Sequence, residues 1–169
     1  MIARDFFACY NNAQFGADMT GKGKKIFHIV LTVVIMAFIF VQSALTAELS
    51  LRESNVIVQW LASFLHAQPE MLSFLVRKCA HFLEYLVLGC SLFVTVRDLF
   101  RLNRWKGSLA SFVIAAAYAA TDELHQMFVA GRSCEARDIL IDSCGALTGI
   151  LIAWLVSFLR EKKKEHKKT

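Results

Sequence analysis

Residues that could do chemistry are concentrated in the stretch from Ala119 to Asp142, which reads AATDELHQMFVAGRSCEARDILID. An apolar segment that resembles a membrane span runs into this stretch, and a second apolar segment follows it. The stretch from Arg77 to Tyr85, RKCAHFLEY, has the same character. Ionisable groups at the end of a spanning helix are costly to place there, so they mark a functional site by default.

The spacing in the earlier stretch places its polar residues on one helix face. His81 precedes Glu84 by three residues and Tyr85 by four, and Lys78 lies one turn before them. Side chains three and four residues apart are neighbours on a helix surface. This segment therefore presents one polar stripe.

The later stretch supplies two more stripes by the same spacing. Asp122 is followed at helical spacing by His125 and Gln126, and Asp138 is followed by Asp142. If both stretches lie at one membrane face, the three stripes lie at similar depth and form a small polar pocket. We therefore favour a functional site over a buried polar network that only locks the helices together.

Two kinds of chemistry fit these residue types. A neutral His beside a carboxylate can act as a general base, and two His with Glu84, Glu123 or an Asp could instead bind a divalent metal. The candidate acid, base or ligand residues are His81, Glu84, Asp122, Glu123, His125, Asp138 and Asp142. The candidate substrate-binding residues are Lys78, Tyr85, Gln126, Arg132 and Arg137, and the Arg side chains suit a phosphate or carboxylate.

The composition predicts a small helical membrane protein. The chain has 169 residues, of which 56% are hydrophobic and one is Pro, and its mean hydropathy is +0.47. This length suits one domain, and long apolar helices satisfy their own backbone hydrogen bonds in lipid. Five Cys without a C-x-x-C pair indicate neither a zinc ribbon nor a full disulfide framework. We expect membrane lipids as partners and no nucleic acid.

Four apolar runs are near the roughly 20 residues that a spanning helix needs. The predicted spans are Ile26–Thr46, Lys78–Val96, Trp105–Phe128 and Asp138–Leu159. They divide the chain into a tail over 1–25, a four-span domain over 26–159 and a basic tail over 160–169. The predicted fold is an all-α integral membrane four-helix bundle with a short external interfacial amphipathic helix around Trp60. Gly145 and Gly149 are expected to pack one helix of the bundle against another, with dimerisation as the alternative.

The charges predict the orientation. With both termini and the loop after the second span on one side, that side carries fourteen Lys and Arg, against five on the other. Cytoplasmic loops carry the excess of Lys and Arg, so both termini are predicted to be cytoplasmic. Nine of the fourteen acids then lie outside, and both polar stretches share the outer face.

Three motifs resemble the VanZ-like family, which includes the teicoplanin-resistance membrane protein: RKCAHFLEYLVLG from Arg77, YAATDELHQMFVAGR from Tyr118 and DILIDSCGALTG from Asp138. The similarity runs from Phe38 to about Ala153. The positions that match the family's polar residues are Arg77, Lys78, His81, Glu84, Tyr85, Asp122, Glu123, His125, Gln126, Arg132, Asp138 and Asp142. The resemblance implies reduced susceptibility to lipoglycopeptides but no settled mechanism.

Three functional hypotheses remain open. The first is an enzyme in the cell membrane that modifies a lipid-linked or cell-envelope component, with His81 and His125 as acid, base or ligands. The second is a non-enzymatic module that sequesters an envelope lipid or a glycopeptide antibiotic, with Arg132 and Arg137 as anchors. The third, proton-coupled transport, needs a polar path, for which the inner halves of the spans offer only His28, Thr32, Thr95 and Ser111.

Overall fold

The structure is a computed structural model that describes residues 21–44, 58–60, 63, 68–129 and 135–166. These residues are helical apart from turns, and no strand occurs among them. The four long helices are α1, Gly21–Ala44; α2, Pro69–Phe100; α3, Arg104–Gln126; and α4, Ala136–Glu165. The all-α class predicted from sequence is therefore confirmed.

Local signals explain where α2 ends and α3 begins. Arg101 adopts a left-handed conformation with φ 52° at the end of α2. The Asn103 side chain then accepts a 2.9 Å hydrogen bond from the Lys106 backbone N–H and caps α3. Such caps satisfy backbone groups that have no partner inside a helix. The short connection therefore turns the chain directly from α2 into α3.

The start of α2 differs from the predicted span, because the helix begins at Pro69 rather than at Lys78. Pro suits the first turn of a helix, and the apolar residues 71–76 continue it. Lys78, His81 and Glu84 consequently lie inside a long helix and not at its N-terminal end. At the other end of the chain, α4 continues through Glu165, so the first basic residues of the predicted tail are helical.

Three of the described helices are long and apolar enough to cross a membrane: α1, Met71–Phe100 of α2, and Ala136–Lys163 of α4. Three of the four predicted spans therefore fall on helices that could cross a membrane. Helix α3 is not among these, because it has Arg104 and Lys106 at its start and Asp122 and Glu123 near its end, with Ala, Ser and Thr frequent between them. Of the predicted interfacial helix, residues 58–60 and 63 are described as helical, with Trp60 exposed, and the rest lies outside the described residues.

Helix α2 is central and contacts the other three helices. Lys78 of α2 pairs with Asp138 of α4 near the start of both helices, and Arg97 lies 3.7 Å from Glu161 near their other ends. Helices α2 and α4 therefore run in the same direction, with α3 antiparallel to both. The apolar core of α1, α2 and α3 contains Ile39, Leu88, Leu92, Ala115 and Ala119.

The contact between α2 and α4 is a backbone contact made by small residues. A Cβ at Gly149 would lie 2.0 Å from the Leu86 carbonyl oxygen, and one at Gly145 would lie 2.3 Å from that of Phe82. Gly89 approaches the Ala146 carbonyl in the same way. The G-x-x-x-G spacing thus packs helices within the chain, as predicted, and fixes the register of α4 against α2.

We predict that Gly149→Ala destabilises the protein, because the added methyl meets backbone atoms that cannot rotate away. Forcing extra volume into a packed contact typically costs about 1–3 kcal/mol. Thermal unfolding of the purified protein in detergent should show a lower midpoint. Gly21→Ala is the matched control, since nothing lies within 4 Å of its new methyl. An unchanged midpoint for Gly149→Ala would contradict this packing.

Candidate functional site

Three ionisable side chains from three helices meet where the first half of α2 lies against the first two turns of α4. Ligand-type atoms of His81 (α2), Asp122 (α3) and Asp142 (α4) all lie within 4.8 Å of one another. His81 Nδ1 lies 3.8 Å from Asp142 Oδ1. We call these three residues the His–Asp cluster. The two Asp side chains are buried, and His81 is 17% exposed, so the His lies at the edge of the cluster.

Asp122 is held in position by two neighbouring groups. The Ser43 hydroxyl of α1 donates a 2.7 Å hydrogen bond to Asp122 Oδ2, and Gln126 Nε2 lies 3.4 Å from the same oxygen. Gln126 Nε2 also lies 3.5 Å from Ser43 Oγ. Among the described residues Asp122 Oδ1 has no hydrogen-bond partner. One carboxylate oxygen is thus fixed, which leaves the other for a further contact.

Asp142 is buried without such compensation. Asp142 is 1% exposed, and the Tyr85 side chain is fully buried. Within the described part of the chain neither Asp142 oxygen makes a hydrogen bond, whereas the Tyr85 hydroxyl interacts with Asp122. A buried polar group without a partner costs roughly 1–3 kcal/mol, and more when it is charged. A network that only locked helices would not retain this cost, which favours a functional role.

The rim of the cluster is paired and fastens the start of α4. Lys78 Nζ donates to Asp138 Oδ2, which joins α2 to α4. Glu123 Oε1 accepts a 2.8 Å hydrogen bond from the Glu135 backbone N–H, just before α4 begins. Orphan backbone N–H groups at a helix start favour such an acceptor. These contacts position the first turn of α4, and with it Asp142.

The structure places two of the sequence-predicted site residues, His125 and Arg137, in contacts away from the His–Asp cluster. His125 stacks on Phe40 of α1 with a centroid distance of 4.5 Å, so the cluster combines one His with two Asp rather than two His. Arg137 is exposed and pairs with Glu135 at 2.5 Å. Arg132 lies outside the described residues.

An apolar groove between α1 and α2 contains Glu84. Its volume is about 440 Å³, and it is lined by Val34, Ile35, Phe38, Ile39, Leu83, Glu84 and Val87. Glu84 is the one ionisable residue of this lining, and it lies within electrostatic range of Asp142. None of the three cluster residues lines the groove, so Glu84 is its link to the cluster, within electrostatic range of Asp142.

Some contacts of the site were not predicted. The sequence leaves open whether Ser43 faces the helix bundle or the membrane interface, and in the structure it is fully buried against Asp122. The stacking of Phe40 on His125 and the groove depend on how α1 packs, which helical spacing in one segment does not reveal. A second polar group in the described residues joins Thr32 Oγ1 to Ser91 Oγ and Thr95 Oγ1 at 2.8 Å each. Ser91 was missed because it stands in an otherwise apolar run.

Comparison with protein-family models matches residues 27–157 to the family described as VanZ/LLP1. This range includes α2, α3 and most of α1 and α4, and with them every described residue of the site. Comparisons with curated proteins and with solved structures found no match. Because the match covers most of the chain and agrees with the three sequence motifs, the chain belongs to the VanZ/LLP1 family.

Proposed function

We propose that the His–Asp cluster faces outward and acts on a lipid-linked component of the cell envelope. The observation that carries this proposal is a buried pair of carboxylates, with oxygens that no described residue satisfies, beside an apolar groove. Ionisable groups within membrane helices mark functional sites because their burial is costly. As the resemblance suggested, the expected phenotype is lower susceptibility to teicoplanin or related lipoglycopeptides.

The groove supports a lipid-linked substrate. It lies between α1 and α2, two helices that are apolar enough to cross a membrane. A lipid chain in the groove would run along side chains such as Phe38 and Val87 and bring its polar head to Glu84. Pockets with apolar walls and a few polar groups are typical of ligand sites. A soluble polar substrate would leave the apolar walls without a role.

The cluster suits proton transfer to or from that head group. In this proposal His81, at the exposed edge, exchanges a proton with the substrate, and Asp142 behind it orients the ring and stabilises its charged form. The 3.8 Å separation allows a hydrogen bond after a small closure. Tyr85 and Asp122 are buried next to this pair and interact with each other.

A binding module without turnover is the second candidate, because the same groove could hold a lipid without any reaction. In that case affinity would depend on the cationic anchors. Arg137 already pairs with Glu135, so its charge is partly used within the protein. Transport is less well supported, because the apolar residues Ile39, Leu88 and Ala115 lie between Thr32 and Asp122 along the helices.

We also infer that α3 is the fourth span. It connects the end of α2 to the start of α4, so it runs between the same two ends of the molecule as these two helices. Its 23 residues extend about 35 Å at 1.5 Å per residue, which is enough to cross the hydrocarbon core. Its small residues face α2 and α4, including Ala115 and Ala119. Close packing thus compensates for its weaker apolar character.

The charge asymmetry predicts the result of reporter fusions. Fusions after Gln68 and Gly131 should score as external, and fusions after Lys106 and Thr169 as cytoplasmic, because fourteen of the nineteen Lys and Arg then lie inside. Paired alkaline phosphatase and fluorescent-protein fusions provide the measurement. An external signal at Lys106 would contradict both the fourth span and the outward-facing site.

The acid–base proposal predicts that His81→Ala abolishes function while the protein still inserts. General acid–base catalysis typically contributes about 10²–10⁴-fold, far more than a modest packing loss. Asp122→Asn should be nearly as damaging, because it keeps the shape and removes the charge. The measurement is teicoplanin susceptibility of an expressing host, beside immunoblotted membrane levels of each variant.

Thr121→Ala is the matched control on α3, since Thr121 is exposed and bonds only to the Tyr118 carbonyl in the described structure. It should leave both function and abundance unchanged. A binder would instead show graded losses at Arg137→Ala that overexpression partly offsets by mass action. Activity that falls only in proportion to abundance across the set would reject both functional proposals.

A further inference from the structure

The His–Asp cluster has the composition of a metal site. It combines one imidazole nitrogen with two carboxylate oxygens, each from a different helix. We propose that His81, Asp122 and Asp142 bind one divalent first-row cation, Mn²⁺ or Zn²⁺. This inference rests on the cluster alone and not on the lipid-linked substrate of the proposed function.

The distances are compatible with one ion. In a tetrahedral site, ligand atoms at about 2.0–2.2 Å from a metal lie roughly 3.3–3.6 Å from each other. The His81 and Asp142 atoms, at 3.8 Å, therefore need a closure of a few tenths of an ångström. The widest separation in the cluster is within 4.8 Å, and that pair needs a closure of about an ångström. The side chains can make such a shift without moving a helix.

The local charge favours a cation. Asp122 and Asp142 are both buried, and in the described structure neither forms an ion pair with a Lys or Arg. Lys78, the nearby cation, pairs with Asp138 instead. Glu84 and Glu123 add further negative charge within electrostatic range of Asp142. Two carboxylates in a dry site repel each other, and an ion between them converts that repulsion into attraction.

The unsatisfied buried atoms provide a second, independent indication. Asp122 Oδ2 is held by Ser43, whereas Asp122 Oδ1 and both Asp142 oxygens have no hydrogen bond among the described residues. Metal ligands are oriented in this way, with one atom fixed by an outer group and the other on the metal. The buried Tyr85 hydroxyl lies within electrostatic range of both carboxylates and is placed to donate to Asp122.

The donor set selects the class of ion. Imidazole suits Zn²⁺ and other late first-row ions, carboxylate suits Mn²⁺ and Mg²⁺, and a mixed set suits Mn²⁺ or Zn²⁺. Calcium takes six to eight oxygen ligands, which one His and two Asp do not supply. Three protein ligands leave positions for water or a phosphate oxygen, as in catalytic metal sites. The same site could therefore activate water or polarise a substrate.

The test is metal binding by the full-length protein in detergent. After treatment with EDTA and its removal, the protein is titrated with MnCl₂ or ZnCl₂, and bound metal is measured by mass spectrometry together with the thermal unfolding midpoint. We expect about one equivalent of bound ion and a higher midpoint. Changing an outer group alone typically lowers metal affinity about 10–100-fold, so Asp142→Asn should lower it at least that much. CaCl₂ should have little effect.

Asp98→Asn is the matched control, because Asp98 lies 2.8 Å from a histidine, His28, at the other end of the helices. It should bind the ion as the unmodified protein does. If Asp142→Asn does not accumulate, His81→Gln replaces it, since His81 lies at the exposed edge of the cluster. Absence of stoichiometric Mn²⁺ and Zn²⁺ binding, or unchanged binding in the cluster variants, would overturn the inference.

This outcome is separable from that of the proposed function. A protein that binds no metal but loses its phenotype with His81→Ala would reject the metal site and keep the acid–base site. A protein that binds the ion while His81→Ala leaves the phenotype intact would support the metal site and reject the function. The two experiments therefore fail independently.

Discussion

The close contact between the backbones of α2 and α4 determines where every group of the site lies. Gly145 lies against the Phe82 carbonyl and Gly149 against that of Leu86, so the two helices have one register. One turn before Gly145, that register places Asp142 beside His81, and a further turn places Asp138 beside Lys78. Helices separated by larger side chains would hold these groups too far apart. The small residues therefore bring the ionisable side chains of α2 and α4 close enough to interact.

The buried carboxylates of the site reduce the stability that the contact between α2 and α4 provides. Asp122 and Asp142 are buried with incomplete hydrogen bonding, and burial of a charge without a partner is among the most costly arrangements in a protein. The paired rim of Lys78 with Asp138 and Glu123 with the start of α4 holds the cluster together despite that cost. Such a local loss of stability is typical of sites that bind a cation or transfer a proton. Within the described residues, the buried carboxylate oxygens without a hydrogen bond all belong to this region, on Asp122, Glu123, Asp138 and Asp142.

Much of this could be predicted from sequence, for physical reasons that also explain the failures. Helical spacing grouped His81 with Tyr85 and Asp122 with Gln126, because i, i+3 and i, i+4 neighbours share a face in any helix. The motifs that resemble the VanZ-like family contain the same residues, and the match over residues 27–157 confirms the family. Contacts between helices could not be predicted from the spacing within one segment. The contacts of Ser43 and Phe40 depend on how α1 packs, and His125 stacks on Phe40 instead of joining His81. Helix α2 starts at Pro69 and not at the predicted Lys78, because the apolar residues after Pro69 extend the helix toward its N-terminus.

The central claim is that the buried carboxylates are retained for function and not for stability. It is tested most directly by thermal unfolding of purified Asp142→Asn and unmodified protein, both in EDTA. The substitution keeps the shape and removes a buried charge that no described residue satisfies, so the account predicts a midpoint equal to or above that of the unmodified protein. A midpoint several degrees lower would show that Asp142 stabilises the helices and would contradict the account.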